Sequence, residues 1–301
     1  MRRQSFHDAV AANRRKTAFL VLFFFLLVGA VVWAFAQVSD LGPVAVPLAV
    51  GVSLITTWAS YYYSDRIVLS ISRARPVEKK EFPYLVNINE ALAIGAGIPA
   101  PRLYIIEDTA PNAFATGRNP QNGVICVTRG LLQKLDREEL EAVMAHEISH
   151  IRNYDVLLAT VAVTMVGVIV LLSDWMIRYN FRTGRRSDRH DRSGAGAILL
   201  LAGLVIALLA PIFAQLLRFA LSRRREFQAD ASAVQLTRYP PGLASALRKI
   251  ATDTEPLEVA NKATAHLYIW NPLKDQEGPL DRLFNTHPPI AERIKAIERM
   301  A

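Results

Sequence analysis

Four stretches of this chain contain no aspartate, glutamate, lysine or arginine: residues 17–38, 41–63, 156–173 and 193–217, which are 22, 23, 18 and 25 residues long. A helix needs about 20 residues to cross a hydrocarbon layer about 30 Å thick. The first, second and fourth stretches therefore predict membrane-spanning helices. The third sits at the short limit, where a buried core helix is the competing reading. Residues 17–38 follow a basic tail, as in a signal peptide, but the stretch is long and no small-residue cleavage site follows it. It predicts an uncleaved anchor, and a purely soluble enzyme is excluded.

Outside these stretches the pattern changes period. Residues 79–97 repeat apolar positions at helical spacing, and residues 102–107, 113–117 and 123–129 predict short strands separated by Pro, Asn and Gly turns. Asp136 then offers a capping side chain with Glu139 three positions on, ahead of Leu140, Val143, Met144, Ile148 and Ile151 at helical spacing. About 210 residues remain outside the apolar stretches, enough for one extramembrane domain with a proper core. The expected division is a basic tail and two-helix anchor over residues 1–63. One domain over residues 64–301 follows, interrupted by the apolar segments 156–173 and 193–217.

Composition adds little until it is placed on the chain. The apolar fraction is 51%, barely above a soluble average, and 35 basic against 27 acidic residues give a net charge of +8. Arg2, Arg3, Arg14, Arg15 and Lys16 precede the first span, Arg66, Arg73, Arg75, Lys79 and Lys80 follow the second, and the link between them carries only Asp40. The positive-inside rule puts the N-terminus and the region after residue 63 in the cytoplasm. Six arginines in residues 174–192 oppose a simple hairpin of the last two apolar stretches, which either cross the membrane or lie against it. Nucleic-acid binding by this run is not expected, since its aromatic partners are limited to Tyr179 and Phe181. Cys126, the only cysteine, cannot form an intramolecular disulfide and reads as a strand core residue.

The capped helix carries the chemistry, in His146-Glu147-Ile148-Ser149-His150. Residues four apart share a helix face, so both imidazoles reach one metal ion, with Glu147 beside them. Zinc suits two neutral imidazoles plus a carboxylate, and Glu147 is placed to take a proton from a water and pass it to a leaving amine. A third-histidine variant fails, because its Gly and His positions hold Asn153 and Val156. The next glutamate in the chain is Glu226, with Asp230 one turn further on the same face. Ligation by this pair competes evenly with a solvated helix face. Asp155 is a rival ligand that fits less well, being so near His150 in the chain. Ligands must share one side of the membrane, so zero or two crossings separate His150 from Glu226.

These residues resemble the HtpX-type membrane zinc metalloproteases, bacterial relatives of the CaaX prenyl endopeptidase. The likeness rests on the two N-terminal spans, Pro111-Asn-Ala-Phe-Ala-Thr-Gly-Arg118, Val127-Thr-Arg-Gly-Leu-Leu132, Asp136-Arg-Glu-Glu-Leu-Glu141, His146 through Asp155, Ser222 through Asp230, and Thr286-His-Pro-Pro289, in this order. The resemblance implies a mainly α integral membrane protein with an α+β gluzincin-like metallopeptidase domain, its small sheet beside the HExxH helix. It implies one zinc ion per chain on His146, His150 and Glu226, Glu147 as general base and acid, and Asp230 as a carboxylate partner of a liganding histidine. Asn112, Ala113 and Phe114 would form an edge strand that holds substrate backbone, with an ordinary core strand as the alternative. His287 and Arg293 would lie near the site and stabilise an oxyanion.

What the resemblance implies for function is hydrolysis of misfolded or damaged membrane proteins, or of other unfolded polypeptides, at the cytoplasmic face of a bacterial inner membrane. The partners are the lipid bilayer and, for quality control under stress, other membrane proteases. A CaaX-type processing protease and a non-catalytic zinc-bound scaffold are the rival readings. Intact Glu147 argues against the scaffold, because a structural zinc site has no use for a general base. The segment 255–285 either shapes substrate access or simply connects.

Overall fold

The strand Val124–Thr128 has all five residues buried, so its sequence is an apolar run rather than an alternation. It lies inside a four-stranded sheet of β1 (Arg75–Pro76), β2 (Arg102–Ile106), β3 (Ala113–Thr116) and β4 (Val124–Thr128), in the order β1-β2-β4-β3. β2 and β4 are parallel; β1 and β3 pair antiparallel at the two sides, with Phe114 opposite Cys126. The structure, a computed structural model, describes residues 6–38, 42–161, 164–165, 178, 223–260, 264, 267–270, 272 and 288–301. Most of the third apolar stretch, the arginine-rich loop, the fourth stretch and His287 lie outside these residues.

Both sheet faces are covered. Ile125 and Val127 point into the main core with α4 (Pro83–Ala96), α6 (Arg137–Arg152), α7 (Arg223–Thr237), α8 (Pro240–Thr252) and α9 (Ile290–Glu298). Val124 and Cys126 point the other way, onto Val68 and Leu69 of α3 (Ser64–Ile71), Leu257 and Tyr268. Cys126 is therefore the strand core residue expected, and burial pushes its thiol pKa up. α4 begins with Pro83 and ends where Gly97 turns left-handed at φ 67°, a conformation glycine adopts without a Cβ penalty. Gly130 opens α5 (Arg129–Lys134), where a Cβ would stand 1.9 Å from the Thr109 carbonyl oxygen; only glycine lets the two backbones approach.

The N-terminal part forms two packed helices, α1 (Phe6–Val38) and α2 (Ala45–Tyr62). Within α1 the 21 residues Arg15–Phe35 span about 31 Å. Among the described residues this is the helix long and apolar enough to cross a membrane. Leu20, Phe24, Val28 and Val32, four apart, form one buried stripe against Ala49 of α2 and against Leu157, Leu158 and Val161 of the helical segment 155–161. The opposite face leaves Phe19, Leu22, Leu26 and Trp33 exposed, a continuous apolar surface of the kind that marks a membrane contact.

Candidate metal centre

The HExxH helix starts with the capping box its sequence predicts: Asp136 Oδ1 accepts from Glu139 N at 3.0 Å and Glu139 Oε2 accepts from Asp136 N at 2.9 Å. Glu139 is buried as well and accepts from Ser245 Oγ and Lys249 Nζ, both at 2.6 Å, which fastens the helix start to α8. Helical spacing then puts His146 and His150 on one face with their Nε2 atoms 3.1 Å apart. α7 crosses that face and presents Glu226, whose Oε2 is 3.7 Å from His146 Nε2 and whose Oε1 is 3.5 Å from His150 Nε2. Donors about 2.05 Å from a tetrahedral zinc would be about 3.3 Å from one another, so these three separations suit one small metal ion.

Carboxylates hold the far side of each imidazole. Asp230 Oδ1 lies 3.0 Å from His146 Nδ1, and Asp155 Oδ2 lies 3.1 Å from His150 Nδ1. Such contacts fix which ring nitrogen faces the metal. Asp155, weighed from sequence as a rival ligand, thus sits behind the ring rather than in the ligand set, and Arg225 Nη1 holds its other oxygen at 3.4 Å. Burial lowers the His146 pKa, against the pull of Asp230. Burial also works to lower that of His150, but Asp155 and the charge of Glu226 outweigh it and raise the group to about 9.

Glu147 is buried beside the two histidines. Burial raises its carboxyl to about 7, helped by the charge of Glu226 and opposed by His150, Arg293 and the Ala115 N–H. A carboxyl near 7 can both accept and return a proton at neutral pH, as a general base that becomes a general acid must. The Ala115 contact also places the β3 edge next to this carboxylate.

A model of peptidase family M48 matches residues 79–301. A protease HtpX homolog of Dictyoglomus turgidum is 49% identical over 98% of this chain and 95% of its own length, and one of Thermoanaerobacter pseudethanolicus is 43% identical over 100% and 99%. The crystal structure of S. mikatae Ste24p shares the fold at a TM-score of 0.50 and 20% identity, over 96% of this chain and 66% of that one. The chain belongs to peptidase family M48. It is a metalloprotease.

In this M48 chain Arg293 lies near the site, as the resemblance implied. It is 1% exposed, its Nε and Nη2 donate to Asp230 at 2.9 and 2.7 Å, and its Nη1 reaches the Ile269 carbonyl and Glu226 Oε2, both at 3.3 Å. All three nitrogens are engaged behind the ligands. These contacts set Arg293 against Asp230 and Glu226 at the edge of the ligand set. His287 falls outside the described residues.

Asn112, Ala113 and Phe114 do lie at a sheet edge, yet all three are buried, because residues 268–270 lie along them. Asn112 Nδ2 donates to the Trp270 carbonyl at 3.0 Å, Ile269 N donates to the Ala113 carbonyl at 2.9 Å, and the Phe114 and Tyr268 rings meet edge-on at 5.0 Å. The segment is thus a buried part of the core whose outer edge at Ala113 and Phe114 is taken by the chain itself, and the backbone groups there do not face an open groove. The covering residues belong to the segment 255–285, for which the sequence left open shaping of substrate access or a plain connection; its pairing with β3 was not foreseen. Its one signal was the aromatic and β-branched run Tyr268-Ile269-Trp270 inside an otherwise polar stretch.

Proposed function

We propose that this M48 metalloprotease is a membrane-anchored zinc endopeptidase that hydrolyses misfolded or damaged membrane proteins at the cytoplasmic face of a bacterial inner membrane. The observation that carries it is the trio His146, His150 and Glu226, two of them buried and His150 partly open, with the buried Glu147 beside them. A bound zinc would polarise the scissile carbonyl and acidify a water. Glu147 takes the proton from the attacking water and returns it to the leaving amine. Asp230, Asp155 and Arg293 keep the ligands oriented through that exchange. Substrate backbone joins the β3 edge beside Ala115, next to Glu147, while Ile269 closes the Ala113 end. Main-chain pairing of this kind tolerates many sequences, as quality control requires.

Sidedness follows from the anchor. Residues 1–63 hold the chain in the bilayer and residues 64–301 form the peptidase. Thr17 and Ala18, at the basic end of α1, border the same groove as Arg118 and Tyr154 of the peptidase unit, and Lys16 feels the charges of Asp155 and Arg225. The positive-inside rule makes that end cytoplasmic. The test is cleavage of an unfolded membrane protein in detergent by the wild type and Glu147→Gln at matched zinc content, with a chelator control. Zinc retention with at least about a 100-fold loss of cleavage is expected, the scale of a removed general base. Two zinc-loaded proteins that both fail to cleave would favour the scaffold, and equal cleavage would discard the mechanism.

A further inference from the structure

Where the anchor meets the peptidase unit, α1, α2 and the turn 118–121 enclose a groove of about 960 Å³, at the upper end of the roughly 300–1,000 Å³ usual for small-molecule sites. Val21, Leu22, Phe25 and Leu54 make its walls apolar along the helices. Its other end is polar and aromatic: Trp58, Tyr61 and Tyr62 from the last turns of α2 face Arg118, Asn119 and Gln121. No acidic residue lines it among the described residues.

Two side chains in this groove are poised for a ligand. Arg118 lies 4.9 Å over the Tyr62 ring and spends one nitrogen on the Tyr62 carbonyl at 3.4 Å, a long contact that leaves most of its planar fork facing the groove end. Thr57 Oγ1 is buried in the wall with no hydrogen-bond partner among the described residues, whereas its neighbour Thr56 bonds back to the Val52 carbonyl at 2.7 Å. A buried hydroxyl without a partner is costly unless something in the groove supplies one.

We propose that this groove is a binding site for one anionic phospholipid, its phosphate on the Arg118 guanidinium and its acyl chains along α1 and α2. The polarity decides the occupant: one cation with amide side chains at the interfacial end and an apolar channel beyond match a headgroup and its tails. An apolar protein helix would bring nothing anionic to Arg118. Tryptophan and tyrosine at this level are the side chains that mark the edge of a bilayer. The proposal rests on the membrane placement of α1 and α2 given above.

The test uses the full chain in non-ionic detergent with Trp33, Trp175 and Trp270 replaced by phenylalanine, so that Trp58 alone fluoresces. Phosphatidylglycerol or phosphatidylcholine with brominated acyl chains is added as the quencher. The expected result is quenching by both, with phosphatidylglycerol half-saturating at about a fivefold lower mole fraction, the size of one basic residue's attraction to an anionic headgroup. Arg118→Gln should bring the two curves together, Arg118→Lys should keep part of the preference, and inorganic phosphate should not compete. Superimposed curves in the parent protein would overturn the site and leave the groove to an apolar protein segment, as would a preference that survives Arg118→Gln. Absence of quenching by either lipid would instead overturn the membrane placement itself.

Discussion

Replacing Arg293 by methionine removes the one cation that ties Asp230 to Glu226 behind the zinc ligands. Arg293 and Asp230 are each 1% exposed and share two hydrogen bonds of 2.9 and 2.7 Å, so water screens little of their attraction. Breaking one side of such a buried pair costs about 3–5 kcal/mol, and a domain of this size loses roughly 2–4 °C per kcal/mol. Metal-free Arg293→Met should therefore unfold roughly 6–20 °C below the wild type. Burial works to raise the Asp230 pKa, and Arg293 with His146 holds it low. Without Arg293 the carboxylate loses the partner that holds it in place and no longer orients His146 well, so metal affinity should fall about 10–100-fold. Thermal unfolding with and without zinc, and titration against a chelator, read both effects. Adding Asp230→Asn should restore part of the lost stability, because the stranded charge is gone. Wild-type unfolding temperature and metal affinity with only kcat reduced would refute the reasoning and return Arg293 to the reacting carbonyl.

Asp136→Ala removes one half of the capping box and should cost about 1 kcal/mol in thermal or denaturant unfolding. Glu139→Ala should cost more, since it also strands Lys249 and Ser245 at the same helix start. A His150 pKa near 9 means that the metal-free site holds a proton throughout the neutral range, and a metal must displace it. Affinity should thus rise about tenfold per pH unit between pH 6 and 8, and a flat series of binding isotherms would contradict the Asp155–His150 pairing. Deleting residues 1–63 should abolish zinc-dependent cleavage and solubility together, checked by comparing the truncated and full chains in the same detergent. It strips the α1 stripe from Leu157, Leu158 and Val161, which are 5%, 2% and 0% exposed, at about 1.5–3 kcal/mol each.

Local rules made the catalytic helix legible. A cap, an acidic third position and apolar residues at helical spacing placed it within a residue, and the HExxH face followed from the helical period alone. The three longer strands were visible for a similar reason: each is a short apolar run between turn residues, and the observed ends differ from those expected by about one residue. The helix expected over residues 79–97 starts late, at Pro83, because proline favours the first turn and the residue before it is pushed out of the helical region. β1 was not visible, since two residues, Arg75 and Pro76, carry no period. The site divides in the same way. His146, Glu147 and His150 are one local motif and Asp155 follows His150 by five residues, whereas Arg293 and the segment 268–270 become partners only through packing between elements far apart in the chain.

That division bears on how the anchor and the peptidase are joined. Asp155 is the first residue of the segment 155–161, and Leu157, Leu158 and Val161 lock that segment to the buried stripe of α1. The turn before it, with Tyr154 at φ 61°, reverses the chain directly after the HExxH helix. One short stretch therefore ends the catalytic helix, supplies the carboxylate on His150 and grips the membrane helix. Val156 of the same segment belongs to the main core, so these residues are shared between the two clusters of buried residues. The carboxylate on His150 and the packing of α1 are therefore joined through one short segment of chain.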